Sequence, residues 1–205
     1  LTMIITLPAG TGFLVLSEPI LRLLYHSGTE TGGRLMAILG FAVPAVALVA
    51  ITNATLQAFG RIDLPLVSMF LGALVKMFGD YYLIGDPRFG IAGAPISTAV
   101  CYWLIALLNL FHIARLSHAL PPLGKTVGRP LAATAGMGAA TYICFTVLTR
   151  VLGAAPGSAV DKLSTLVSIL VAVAVYGVLL LALHAVDRED VQLLPKGEKI
   201  ANLLR

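Results

Sequence analysis

Between Arg34 and Arg61 the chain carries no charged side chain. An uninterrupted apolar run of that length is what a helix needs to cross a hydrocarbon layer about 30 Å thick, at about 20 residues per crossing. Inside a bilayer the backbone must satisfy its own hydrogen bonds, which a helix does within itself. The rest of the chain repeats the pattern. Only 12% of the 205 residues are charged, 58% are hydrophobic and the mean hydropathy is +0.93. That leaves too little polar surface to coat a water-soluble globule and excludes disorder, which needs apolar-poor sequence. Two cysteines exclude a disulfide scaffold.

Six spans are expected, in an all-α polytopic bundle. The first lies before Glu18, from Leu1 to Ser17. Glu18-Pro19 opens a short interfacial piece, 20–25, that ends in a loop at Gly28–Gly33. The second span runs 35–58, closed by the turn Gly60–Asp63, and the third runs 64–84, closed by Gly85-Asp86-Pro87-Arg88. The fourth is 91–113. A polar linker at 115–129, with Pro121, Pro122 and Gly124, precedes the fifth span, 131–152. The loop 153–162 leads to the sixth, 163–186. From Asp187 a charged tail with Leu193, Leu194, Ile200, Leu203 and Leu204 reads as a short amphipathic helix at the membrane surface. The chain begins at Leu1 within apolar sequence, without the basic region and cleavage site of a signal peptide. It is expected to be a piece of a longer protein.

Loop charges set the expected orientation. With six spans, Arg61, Arg115, Lys125, Arg129, Arg188, Lys196, Lys199 and Arg205 share one side; Arg22, Arg34, Arg88, Arg150 and Lys162 share the other. The richer side, with the linker and tail, is assigned to the cytoplasm, and the protein to the cytoplasmic membrane. The basic residues are scattered, which points away from nucleic acid as a partner and towards membrane lipids.

Two charges lie well inside a span. Lys76 and Asp80 are four apart and share a helical face. Intramembrane charges face a bundle interior or a wet cavity and often touch substrate; a structural ion pair, or a lysine stem reaching to the interface, is the competing account. Asn53 and Gln57 also share a face, as interhelical hydrogen bonders or as a polar cavity wall. Small-residue rows at spacing four, Gly90-Ala94-Thr98 and Gly93-Ser97-Cys101 in the fourth span and Ala132-Gly136-Ala140 in the fifth, are read as packing seams. Cys101 and Cys144 are read as packed thiols. His26, His112, His118 and His184 come with no metal-ligand spacing, and no nucleophile elbow or phosphate loop is present. No catalytic residue, metal or cofactor is assigned.

The order of these segments is familiar: LPAGTGFLVLSEPILRLLY, LQAFGRIDLP, a lysine-bearing span, GIAGAPISTAVCYWLIALLNL and EDVQLLPKGEKIANLLR. Together they resemble the C-terminal part of the polysaccharide-exporter branch of the multidrug/oligosaccharidyl-lipid/polysaccharide superfamily. Stage V sporulation protein B and similar Gram-positive proteins are the nearest look; MviN-type lipid II flippases are more distant. The resemblance covers essentially the whole chain and implies a fourteen-span protein. Residues 1–115 would be the last four spans of the second lobe, 116–130 a cytoplasmic linker, 131–186 two extra helices and 187–205 a cytoplasmic tail.

The implied function is movement of a lipid-linked polysaccharide or cell-wall precursor across the membrane by alternating access, the extra helices lining a groove for the polyprenyl carrier. The basic residues that meet pyrophosphate in lipid II flippases would lie before Leu1, among the N-terminal spans that partner this segment. Relatives often carry asparagine where this chain has Asp80, which makes that charge local to this chain. Two other functions are weighed. A cation-coupled multidrug exporter of the same superfamily would use Asp80 as its cation ligand. A membrane-embedded transferase on lipid-linked sugars would use His112 or His118 as a base.

Overall fold

The computed structural model describes residues 2–25, 29–117, 123–153 and 157–182. Among them the regular structure is helical: α1 (Thr2–Leu24), α2 (Thr29–Ala58), α3 (Asp63–Gly85), α4 (Gly93–Ser117), α5 (Leu123–Val151) and α6 (Ala159–Ala182). A single 3₁₀ turn, Gly90–Ala92, leads into α4. All six helices contain a stretch long and apolar enough to cross a membrane, so the chain is a multi-pass membrane protein.

In space the helices run α3, α4, α2, α1, and the α5–α6 hairpin then closes on α1. The outermost, α3, packs on α4 and barely meets α2. Large apolar side chains such as Phe41, Phe70, Phe78, Leu170 and Val173 point outward, while Ser68, Ser97, Asn109, Thr141, Thr165 and Ser168 are fully or almost fully buried. Lipid tails are as apolar as leucine, so nothing drives leucine inward; close packing and interhelical hydrogen bonds decide what faces a neighbour.

The tightest crossing joins α1 to α2. A Cβ on Gly10 would lie 2.6 Å from the Gly40 carbonyl oxygen, and one on Gly40 would lie 2.7 Å from that of Gly10. Pro44 has no N–H to give the Gly40 carbonyl, so that oxygen lacks its helical donor at the point where Gly10 comes closest. Proline also bends α1. Pro19 cannot bond the carbonyl of Val15, and Leu16 between them leaves the helical region (φ −110°, ψ 17°). The bend falls where the sequence places the end of the first span, and a second short helical piece follows it up to Leu24.

Parts of three expected loops prove helical. In the expected Gly28–Gly33 loop, α2 begins at Thr29, and in the expected 153–162 loop α6 begins at Ala159. Gly32 and Gly33 lie in the first turns of α2 because a side chain there would strike Leu21 or Glu18 of α1, at 2.9 Å in each case. The expected 115–129 linker contains the end of α4 and the start of α5 at Leu123. Pro130 lies inside α5, seven positions beyond its start at Leu123. The turn at 60 is as expected: Gly60 takes φ +73°, and Arg61 N–H donates to the Leu56 carbonyl at 3.0 Å. That is a glycine-dependent C-terminal cap. Arg61 then forks onto the Asp63 carboxylate at 3.0 and 3.1 Å. The charged tail from Asp187, with His26, His118 and His184, lies outside the described residues.

Candidate functional site

The seam between α3 and α4 is built from the small residues of both. A Cβ on Gly72 would collide with Ile105 and press on Cys101, one on Gly79 would lie 2.9 Å from Ser97, and one on Gly93 would lie 2.7–2.8 Å from Leu83. Gly93, Ser97 and Cys101 thus form one row at the contact, as their spacing suggests. The neighbouring row divides. Ala94 and Thr98 flank the contact, but Gly90 does not belong to it: with φ +50° and open space where a side chain would be, it serves the turn before α4.

Close approach of the helices brings the polar groups together. Lys76 lies four residues after Gly72 and three before Gly79, on the seam face of α3. Its ammonium donates to Asp80 Oδ2 at 3.0 Å and to Thr98 Oγ1 at 3.0 Å. Thr98 passes its own hydrogen to the Ala94 carbonyl at 2.8 Å. The other carboxylate oxygen of Asp80 accepts the Ser97 hydroxyl. The side chains of Lys76 and Asp80 keep 40% and 31% of their surface exposed, so the pair lies at the mouth of the seam. Of the three ammonium hydrogens, one has no acceptor among the described residues.

Asn53 and Gln57 part company. Asn53 Oδ1 accepts from Asn109 Nδ2 at 2.7 Å, and Thr52 Oγ1 accepts from the same amide at 3.1 Å. Gln57, one turn further, is exposed. Asn109 is the hub of this knot between α2 and α4, fully buried, with its own Oδ1 unpartnered. Sequence reading missed it, although a lone amide in the run ALLNLFHI is itself a signal in a membrane helix.

The α5 row is displaced by one step. A Cβ on Gly136 would lie 2.9 Å from Leu179 of α6 and Ala140 is half-buried, but Ala132 is exposed. The buried positions are Ala133, Met137 and Thr141. The reason is that α5 packs on two helices at once, with Gly138 against Thr11 of α1, so its buried stripe lies between the two contacts.

A second charged cluster was not anticipated. Arg22 donates to Glu18 at 2.5 Å and to Asp161 at 3.4 Å. Asp161 is 2% exposed and also accepts the Gly157 N–H at 2.9 Å, while Ser158 Oγ accepts the N–H of Asp161 at 3.1 Å. The signal was there as a Ser-x-x-Asp box at the start of α6 and a Glu18–Arg22 pair. What the sequence could not supply is the 139-residue contact that joins them. Both cysteines are free thiols, Cys101 buried. His112 Nδ1 is 2.7 Å from the Leu108 carbonyl of its own helix, which occupies that nitrogen as a donor. Among the described residues no group of histidines, cysteines and carboxylates could hold a metal ion.

One further feature is an apolar cavity of about 720 Å³ walled by α1, α2, α4 and α5, with Leu7, Leu14, Pro44, Leu48, Trp103 and Leu131 on its surface.

Against known proteins, the chain is 25% identical over 197 residues to the uncharacterized membrane protein YabM of Bacillus subtilis, covering 96% of this chain and 36% of that protein. It is 30% identical over 184 residues to the probable lipid II flippase MurJ of Rhizobium meliloti, covering 85% and 34%. The multidrug resistance protein NorM of Vibrio cholerae shares 28% over 125 residues, 51% of this chain and 27% of that protein. The chain therefore spans about a third of the length of the first two relatives. No solved structure matches it. The profile of the family described as lipid II flippase MurJ matches residues 1–152, and the chain belongs to that family.

Proposed function

We propose that the full-length protein flips a lipid-linked polysaccharide or peptidoglycan precursor across the cytoplasmic membrane by alternating access. It moves its substrate without covalent chemistry. This segment contributes the last four spans of the second lobe and two extra helices, and the Lys76–Asp80 pair lines the translocation cavity. The observation that carries the assignment is the half-exposed ammonium of Lys76, held in place by Asp80 and Thr98 with one N–H left to offer. An intramembrane cation so placed suits the phosphate of a polyprenyl-linked sugar. The apolar cavity between α1, α2, α4 and α5 suits the carrier's hydrocarbon chain. The linker and tail are on the cytoplasmic side, as the balance of loop charges favours.

Lys76→Ala in the full-length protein is expected to impair translocation while membrane abundance holds; unchanged translocation removes Lys76 from the site. The likeness to NorM supports a second reading, a cation-coupled exporter with Asp80 as ligand. In this chain both Asp80 oxygens are engaged, by Lys76 and Ser97, which favours the flippase. Loss of drug efflux in Asp80→Asn would reverse that preference.

A further inference from the structure

The groups that accept from the Lys76 ammonium, and the groups bonded to those in turn, present hard oxygens. They are the Asp80 carboxylate, the Thr98 hydroxyl and, one step behind, the Ser97 hydroxyl and the Ala94 carbonyl to which Thr98 is tied. Carboxylate, hydroxyl and carbonyl oxygens gathered at one point are donors that small metal cations take in place of water. Here the positive charge comes from the protein, on a four-carbon stem rooted one helical turn away. The small residues Gly72 and Gly79 let α4 come close enough to supply its half of the oxygens. Without Lys76, Asp80 would be a membrane-embedded carboxylate with only a hydroxyl for company, a state that calls for a counter-charge.

The geometry points to Lys76 as a built-in cation: its ammonium takes up, between Asp80 and Thr98, the place that an alkali-metal ion would otherwise fill. The site is thereby independent of the ions in solution, and removing the lysine should turn it into a site for sodium. This inference concerns the same pair as the proposed function but does not need the pair to face the translocation cavity.

The test is thermal unfolding of the purified full-length protein in sodium chloride against choline chloride at matched ionic strength. Lys76→Ala should unfold about 3 °C or more higher in sodium, the stabilisation expected when an ion binds the folded state alone. The wild type, Lys76→Arg and the double variant Lys76→Ala/Asp80→Asn should show no comparable shift. If Lys76→Ala does not accumulate, Lys76→Gln gives the same readout, since its amide also leaves Asp80 without a counter-charge. Absence of a sodium shift in the lysine-lacking variant overturns the inference. So does an equal shift in the wild type, or one that survives Asp80→Asn. Translocation is not part of this readout, so a transport defect in Lys76→Ala bears on the proposed function and a sodium-dependent melt bears on the built-in cation.

Discussion

On the α2 side of α4, Asn109 is wholly buried and gives its amide hydrogens to Thr52 and Asn53. On the α3 side, Ser97 and Thr98 meet a charged pair whose side chains stay partly exposed, 40% for Lys76 and 31% for Asp80. The same helix thus seals neutral polar groups on one face and holds ionised ones at an opening on the other. The difference follows from what each group costs to hide. A neutral amide is accommodated in a dry interface by two hydrogen bonds. A buried ion pair gives up more hydration than its Coulomb attraction returns unless its geometry is complete. Placing charge where it stays partly solvated is therefore economical. Under the proposed function, the α2–α4 knot holds the helices together and the α3–α4 pair meets the substrate.

Substitutions on the two faces should separate these roles. The largest effect is expected from Lys76→Ala, which under the proposed function removes a charge-assisted contact to an anionic substrate. Translocation per molecule should fall about tenfold or more, while abundance in the membrane, read by quantitative blotting, is maintained. The next is Asn109→Ala. It takes the donor from Asn53 Oδ1 and leaves a void, while Thr52 keeps its bonds to the carbonyls of its own helix, for a loss of about 1–3 kcal/mol of stability. Thermal unfolding should register it, with translocation per folded molecule preserved. A smaller penalty, about 1 kcal/mol, is expected for Gly72→Ala: the new methyl presses on Ile105 and Cys101, and the gain in helix propensity offsets part of the cost. The smallest is Gln57→Ala, an exposed position whose replacement should stay within about 0.5 kcal/mol and leave translocation unchanged. A transport defect in Gln57→Ala would extend the cavity wall to the end of α2. One in Asn109→Ala with stability intact would blur the distinction between the two faces.

The parts of this architecture that sequence makes legible are those governed by local chemistry. Apolar run length marks six membrane-crossing helices, Gly60 and the Arg61–Asp63 fork mark a turn, and Pro19 marks the bend at Leu16. The four-residue interval from Lys76 to Asp80 predicts their pairing because both lie on one helix. The Gly93-Ser97-Cys101 row predicts a seam because small residues at that interval have little other use in a membrane helix.

What escaped depends on which helix lies opposite. Thr98 as acceptor for Lys76 and Asn109 as partner of Asn53 are contacts across 22 and 56 residues. Gln57 satisfies the same spacing rule as Asn53, yet α4 passes by one and not the other. Glycines mislead in the same way: Gly32 and Gly33 read as loop until Leu21 and Glu18 of α1 are seen to need their space. Ala132 yields its place in the packed row to Ala133 because α5 answers to α1 and α6 together.

Accessibility of the two faces of α4 to water is the most direct test. In the full-length protein with Cys101 and Cys144 replaced, single cysteines at Lys76→Cys and Asn109→Cys would be exposed in cells to a charged, membrane-impermeant thiol reagent. The account predicts labelling at position 76, slowed when lipid-linked substrate accumulates, and none at position 109. No reaction at 76, or equal reaction at both, would contradict it.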